Sequence, residues 1–281
     1  MREIHVDSIR NTVKDLFLKA NYVIGKDILS KIAQCEENEE SPVGKSILGQ
    51  ILENDNIAAS ESVAICQDTG LAVLFIELGQ DVHIVGGDFN EAVNQGVRDA
   101  YNEGYLRKSA VSDPLFDRVN TKDNTPAIIH LSMVPGENIK ILVTPKGFGS
   151  ENMSATKMLK PADGVRGVKD FVSKTAIDAG PNPCPPIIVG VGIGGTLEKA
   201  AQIAKFATLR PVGQRNPDER YAKLEKDILE AINMSGIGPG GLGGTTTALA
   251  VHIEYFPTHI AGLPVAVNIC CHAARHAEKV L

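Results

Sequence analysis

The spacing of the apolar residues changes once along this chain, and that change limits the fold more than any other feature. Up to about residue 59 apolar positions recur every three or four residues: Ile9, Val13, Leu16, Phe17 and Ala20, then Val43, Ile47, Leu48, Ile51 and Leu52. Such spacing lines one face of a helix, and it predicts helices over 6–35 and 42–59. Beyond Ser62 the apolar residues come in short runs bounded by glycine, proline and asparagine. These predict strands over 62–65, 71–78, 82–85, 187–191 and 264–268, and a hairpin of 127–134 with 139–143 joined through Pro135-Gly136-Glu137-Asn138. Helical patterns over 90–103, 165–179, 196–207, 218–234 and 245–253 interleave with them. The reading is a mixed α/β fold, a single domain over 1–281, with a helical N-terminal portion and a mixed sheet flanked by helices.

Composition narrows the function classes. The 281 residues suffice for a sizeable core, and 43% apolar with 22% charged residues is ordinary for a globular protein. A net charge of −6, with no basic block and few aromatics, argues against nucleic acid. No apolar run approaches the roughly 18 residues that would span a bilayer. The start, Met1-Arg-Glu-Ile-His-Val-Asp, lacks the apolar stretch of a secretory signal, so the expected compartment is the cytoplasm. Five cysteines form no disulfide framework, and reduced thiols or metal ligands are the expectation.

Three of those cysteines occupy segments built for display. Cys66 leads into Gln67-Asp68-Thr69-Gly70, Cys184 is fenced by Pro181, Pro183, Pro185 and Pro186, and Cys271 closes an apolar run. A lone cysteine is as readily a small apolar filler. There is no C-x-x-C pattern, which disfavours a zinc ribbon or a ferredoxin. Three thiolates can, however, hold three corners of an iron–sulfur cluster and leave a fourth iron open as a Lewis acid. Cys270 and Cys271 are adjacent, so on a strand only one of them joins a given site.

Three glycine-rich stretches accompany them. The segment 190–195 matches G-x-G-x-x-G, which keeps open a dinucleotide-binding oxidoreductase; its bland alternative is close packing. The segment 236–247 leads into a predicted helix, and Lys146-Gly147-Phe148-Gly149 pairs a cation with bare backbone; together they suit a small anion. Arg107 follows a predicted helix and offers a planar fork for a carboxylate. His259 precedes the strand that carries Cys271.

As a set, these segments resemble the class I, iron–sulfur fumarate hydratase and L-tartrate dehydratase family, and specifically the separate α subunit of its two-subunit form. The matching segments are Cys66-Gln-Asp-Thr-Gly70, Gly104-Tyr-Leu-Arg-Lys-Ser109, Asp123-Asn-Thr-Pro-Ala127, 146–152, Pro183-Cys-Pro-Pro186, 189–197, 236–247, and 259–268 running into Cys271-His-Ala-Ala-Arg275. The resemblance implies a [4Fe-4S] cluster with one open iron on Cys66, Cys184 and Cys271. It also implies that Gln67, Asp68, Arg107, Lys146, Gly149 and His259 face a small dicarboxylate, with Asp68 and His259 in catalytic roles. Hydration of fumarate to (S)-malate is the first expected activity, and dehydration of L-tartrate to oxaloacetate the alternative. A non-catalytic assembly subunit with structural thiols is the third. Two departures stand out. Phe148 replaces an expected glycine, and the chain stops at Leu281 where fused members continue. A β subunit is therefore expected to supply the remaining groups, in a higher oligomer of α–β pairs.

Overall fold

A computed structural model describes residues 1–281. The chain begins with β1 (Arg2–His5), α1 (Val6–Tyr22), α2 (Lys26–Asn38) and α3 (Pro42–Glu61), continuing with β2 (Leu71–Gly79), β3 (Val82–Val85) and α4 (Phe89–Glu103). Next are β4 (Ile128–Val134), β5 (Ile139–Lys146), α5 (Phe148–Glu151), β6 (Ala155–Leu159), α6 (Gly164–Asp178) and β7 (Ile187–Gly194). It closes with α7 (Leu197–Ala207), α8 (Glu219–Asn233), β8 (Ala248–Phe256), β9 (Leu263–Cys270) and β10 (Ala277–Val280). The mixed α/β class and the helical N-terminal portion follow the sequence expectation, with the strands divided among three sheets. No helix is long and apolar enough to cross a membrane.

The chain forms two compact units: Met1–Ile24, Asn54–Phe148 and Arg275–Leu281 in the first, Gly25–Glu53 and Gly149–Ala274 in the second. In the first, a sheet of order β10-β5-β2-β4 holds β2 antiparallel to β5 and parallel to β4, and β1 pairs separately with β3. Leu74 and Ile76 of β2 and Ile139, Ile141 and Val143 of β5 share one core with the apolar stripes of α1 and α4. Those helices approach closely at Gly96, where a Cβ would lie 2.6 Å from the Arg10 carbonyl. The hairpin expected of β4 and β5 is not formed. Both strands instead flank β2, because the central strand offers each of them a full ladder.

In the second unit the sheet order is β6-β9-β7-β8, with β8 at one edge. All eight residues of β7 are buried. Ile187, Val189, Val191 and Ile193 face a core shared with α6 and α8. The alternate positions face α7, where a Cβ on Gly190 or Gly192 would fall 2.1 Å from the Ala204 carbonyl or 2.0 Å from the Ala200 carbonyl. The glycines of the G-x-G-x-x-G match thus let helix and strand approach. Residues 245–253, expected as helix, lead into strand β8 instead. The expected strand at 62–65 is irregular, and the helix over 6–35 breaks at Val23, whose extended φ of −129° ends α1.

Candidate functional site: two loops that display cysteines

In the first unit, backbone and side-chain hydrogen bonds hold the Cys66 loop on every side. Just before it, the Ile65 amide donates to the Asn21 carbonyl at 3.0 Å, and Asn54 Nδ2 donates to the Ile65 carbonyl at 3.0 Å. After it, the hydroxyl of buried Tyr101 donates towards the Thr69 and Gly70 carbonyls at 2.7 and 2.9 Å. Asn124 Nδ2 also donates to the Gly70 carbonyl, at 3.1 Å. Gly70 has φ +72°, and a Cβ there would sit 2.6 Å from the Lys146 amide, so only glycine closes this turn. The half-buried Cys66 Sγ accepts from the Asp68 amide at 3.4 Å.

Asp68 spends its carboxylate on the backbone. Oδ1 accepts from the Gly70 amide at 2.9 Å and Oδ2 from the Phe148 amide at 2.8 Å. Its own carbonyl accepts from Nη2 of Arg275 at 2.7 Å, and Nη1 of that buried arginine donates to Asn21 Oδ1. Asp68 therefore ties the Cys66 turn to the Gly147 turn. Arg107 is exposed, and its carbonyl accepts from Thr69 Oγ1 at 2.8 Å, which laces its loop to the cysteine loop. Gln67 is exposed on the same loop. Lys146 is buried, pairs with Leu71 in the sheet and donates from Nζ to the Gly147 carbonyl at 3.0 Å. Cys66, Gln67, Asp68, Arg107 and Lys146 thus gather at one end of this sheet.

In the second unit Cys184 is exposed and has φ +55°, a left-handed conformation rare for a side chain of this kind and held here by the Pro181 carbonyl accepting its amide at 3.0 Å. The glycine-rich segment packs on this loop: the Gly240 amide donates to the Pro185 carbonyl at 2.8 Å, and a Cβ on Gly241 would lie 2.3 Å from Pro181 Cβ. Gly149 lies beside it, its Cβ position 3.7 Å from the Asn182 carbonyl. The pairing of Ile188 with Cys270 brings the start of β7 and the end of β9 together, so Cys184 and half-buried Cys271 occupy the same end of the sheet. Cys270 is buried.

His259 lies on the loop between β8 and β9, exposed, at the opposite end of β9 from Cys271. Eight strand residues at about 3.3 Å each separate the two ends by roughly 25 Å, so the second unit does not bring His259 to its cysteines. In the glycine-rich stretch 236–247, which together with 146–149 suited a small anion, the amides of Thr245 and Thr246 are taken by the chain's own Glu39, whose Oε1 and Oε2 accept from them at 2.8 and 2.9 Å. Burial alone would raise that carboxyl, but these amides and that of Ser41 hold it below the usual range.

Sequence reasoning missed the holders: Asn21, Asn54, Tyr101, Asn124 and Arg275. Asn124 and Arg275 do lie inside the matching segments, while Asn21 and Asn54 are two among many polar residues of amphipathic helices, distinguished only by their partners. No three His, Cys, Asp or Glu side chains converge as the ligands of a single ion would. A cubane asks for something different, with each thiolate bound to its own iron.

Residues 10–280 match the family profile described as Fumerase, fumarate hydratase. A Methanocaldococcus jannaschii protein provisionally named L(+)-tartrate dehydratase subunit alpha is 42% identical over 275 residues, covering 96% of each chain. The Escherichia coli O157:H7 protein named L(+)-tartrate dehydratase subunit alpha is 35% identical over 259 residues, 91% of this chain and 84% of its own length. Its counterpart from Escherichia coli K12 is 34% identical over the same span.

Proposed function

Because the chain belongs to the fumarate hydratase (Fumerase) family, as the α subunit of its two-subunit form, we propose that it works with a β subunit to dehydrate L(+)-tartrate to oxaloacetate. We propose further that residues 1–281 act as one catalytic subunit holding a [4Fe-4S] cluster on Cys66, Cys184 and Cys271. The observation that carries the reading is similarity along nearly the whole chain to proteins named as tartrate dehydratase α subunits. Those names reverse the order of the two substrates expected from the sequence, so fumarate and (S)-malate become the second reading.

The residues fit the group. Three soft thiol donors suit iron, Cys66 Sγ already accepts an amide, and Cys184 is presented outwards on a strained residue. When bound, a cluster with one open iron supplies a Lewis acid for a substrate hydroxyl and carboxylate. The chain's own groups do the rest. Arg107 offers a bidentate fork to one carboxylate, and Gln67 offers an amide to a hydroxyl or carboxylate. Gly149, lacking a Cβ, leaves its backbone open to a close approach. Holding a dicarboxylate at both ends removes much of the entropic cost of alignment. Asp68 keeps the Cys66 turn and the Gly147 turn in register, and buried Lys146 braces the latter. The proton-transfer base comes from the β subunit.

The test is an anaerobic assay of the co-purified α and β chains with L(+)-tartrate and with (S)-malate in parallel. The reading expects oxaloacetate from tartrate with the larger kcat/KM. Turnover confined to malate and fumarate would transfer the assignment to fumarate hydration, and turnover of neither would remove the hydro-lyase reading.

A further inference from the structure

A cleft of about 670 Å3 opens in the second unit between α2 and α8, floored by the edge strand β8. Its volume lies in the range of small-molecule sites. None of the candidate active-site residues lines it. Three features of its wall are unusual together.

The first is charge. Lys31, Arg215 and Lys226 line the cleft, in a chain whose net charge is −6. The two acids in the wall are occupied internally: Asp27 Oδ2 accepts from the Val212 amide at 2.7 Å, and Glu225 is paired with Arg210 and accepts from the Ile253 amide at 2.7 Å. Of the cations, Arg215 and Lys226 carry i,i+4 pairs along the surface, with Glu219 and with Glu230 at 3.7 Å, with which an anion in the cleft competes, while Lys31 donates only to Gln34 Oε1, at 3.2 Å. The second is His252, 3% exposed. Its Nδ1 lies 3.2 Å from the Ala207 carbonyl, and since a carbonyl only accepts, Nδ1 carries the proton. Burial, with Arg210 nearby, lowers its pKa to about 4, so the ring is neutral at neutral pH and Nε2 is an acceptor. The third is the strand edge. Ile253 turns its amide and carbonyl away from β7, to Glu225 and to Asn216. Val251, two residues earlier, turns the same way, and no side chain caps it.

Cations, an imidazole acceptor and an open backbone donor ask for a ligand that is anionic and also carries a hydroxyl. The geometry points to this cleft as a second binding site for a small hydroxylated oxyanion, a hydroxycarboxylate or a sugar phosphate, separate from the cysteine loops. The anion meets Lys31, Arg215 and Lys226, the hydroxyl donates to His252 Nε2, and the Val251 amide donates to the ligand. This inference does not rest on the proposed reaction.

Calorimetric titration of the full chain with citrate and with ribose 5-phosphate tests it. One saturable site is expected for at least one probe; citrate alone assigns carboxylates and ribose 5-phosphate alone assigns phosphates. The double substitution Lys31→Ala, Lys226→Ala, at a half-buried and an exposed position, should raise Kd by about tenfold or more, the loss expected for contacts summing to roughly 1.4 kcal/mol. Arg107→Ala should leave Kd unchanged. The site is overturned if neither probe saturates, or if binding survives the double lysine substitution and disappears in Arg107→Ala.

Discussion

Asp55 is the least comfortable residue of the first unit. Its carboxylate is buried, neither oxygen has a hydrogen-bond partner, and burial pushes its pKa up from 3.8 to about 6. A carboxyl raised in the fold costs nothing below its unfolded pKa, and the cost grows as pH rises to the folded value and stays constant above it. Asp55→Asn should therefore stabilise the protein by up to about 3 kcal/mol at pH 8 and by almost nothing near pH 4. Thermal melts at the two pH values check this, and an equal shift at both would contradict it. Glu39 has the opposite sign. Its carboxyl is held low by amides, so its contribution is present above the unfolded pKa and fades as the solution is acidified. Glu39→Gln turns an amide group towards donors and should cost about 1–3 kcal/mol at pH 7, with the gap to wild type narrowing in acid in a urea titration. Neither role was legible beforehand. Asp55 and Glu39 are ordinary acids in the sequence, and what distinguishes them is which amides fold alongside.

Among the elements, β7 and α7 give the sharpest expectation. Gly192→Ala sets a Cβ 2.0 Å from the Ala200 carbonyl, so α7 must move off the sheet. The cost should exceed about 2 kcal/mol, as for other overpacked cores, read as a lower denaturation midpoint. On the same grounds a nicotinamide cofactor should show no calorimetric binding to the wild type. The match at 190–195 was a true signal of close approach, and only its partner was ambiguous, helix or phosphate. The helices with one apolar stripe were legible for the same reason that they pack. The strand β8 was not, because its first six residues are buried and so show no alternation. The β4–β5 hairpin failed differently: a four-residue connection between two strands carries no mark of a third strand, far off in sequence, that separates them.

For the molecule as a whole, the cysteine loops were legible and their supports were not. Display shows in the sequence as proline, glycine and polar neighbours around a thiol. Support comes from Asn21, Tyr101 and Arg275, which reach the Cys66 loop from positions up to 207 residues away. His259 and Cys271 flank the two ends of β9. The chain belongs to the family in its two-subunit form, and the cluster is the claim on which the proposed chemistry rests. Its most direct measurement is iron and acid-labile sulfide per chain in protein purified without oxygen, for the wild type and for Cys66→Ser. The account predicts about four of each in the wild type and a large loss in the variant, with unchanged circular dichroism. Iron and sulfide absent from the wild type after anaerobic reconstitution, or fully retained in Cys66→Ser, would contradict it.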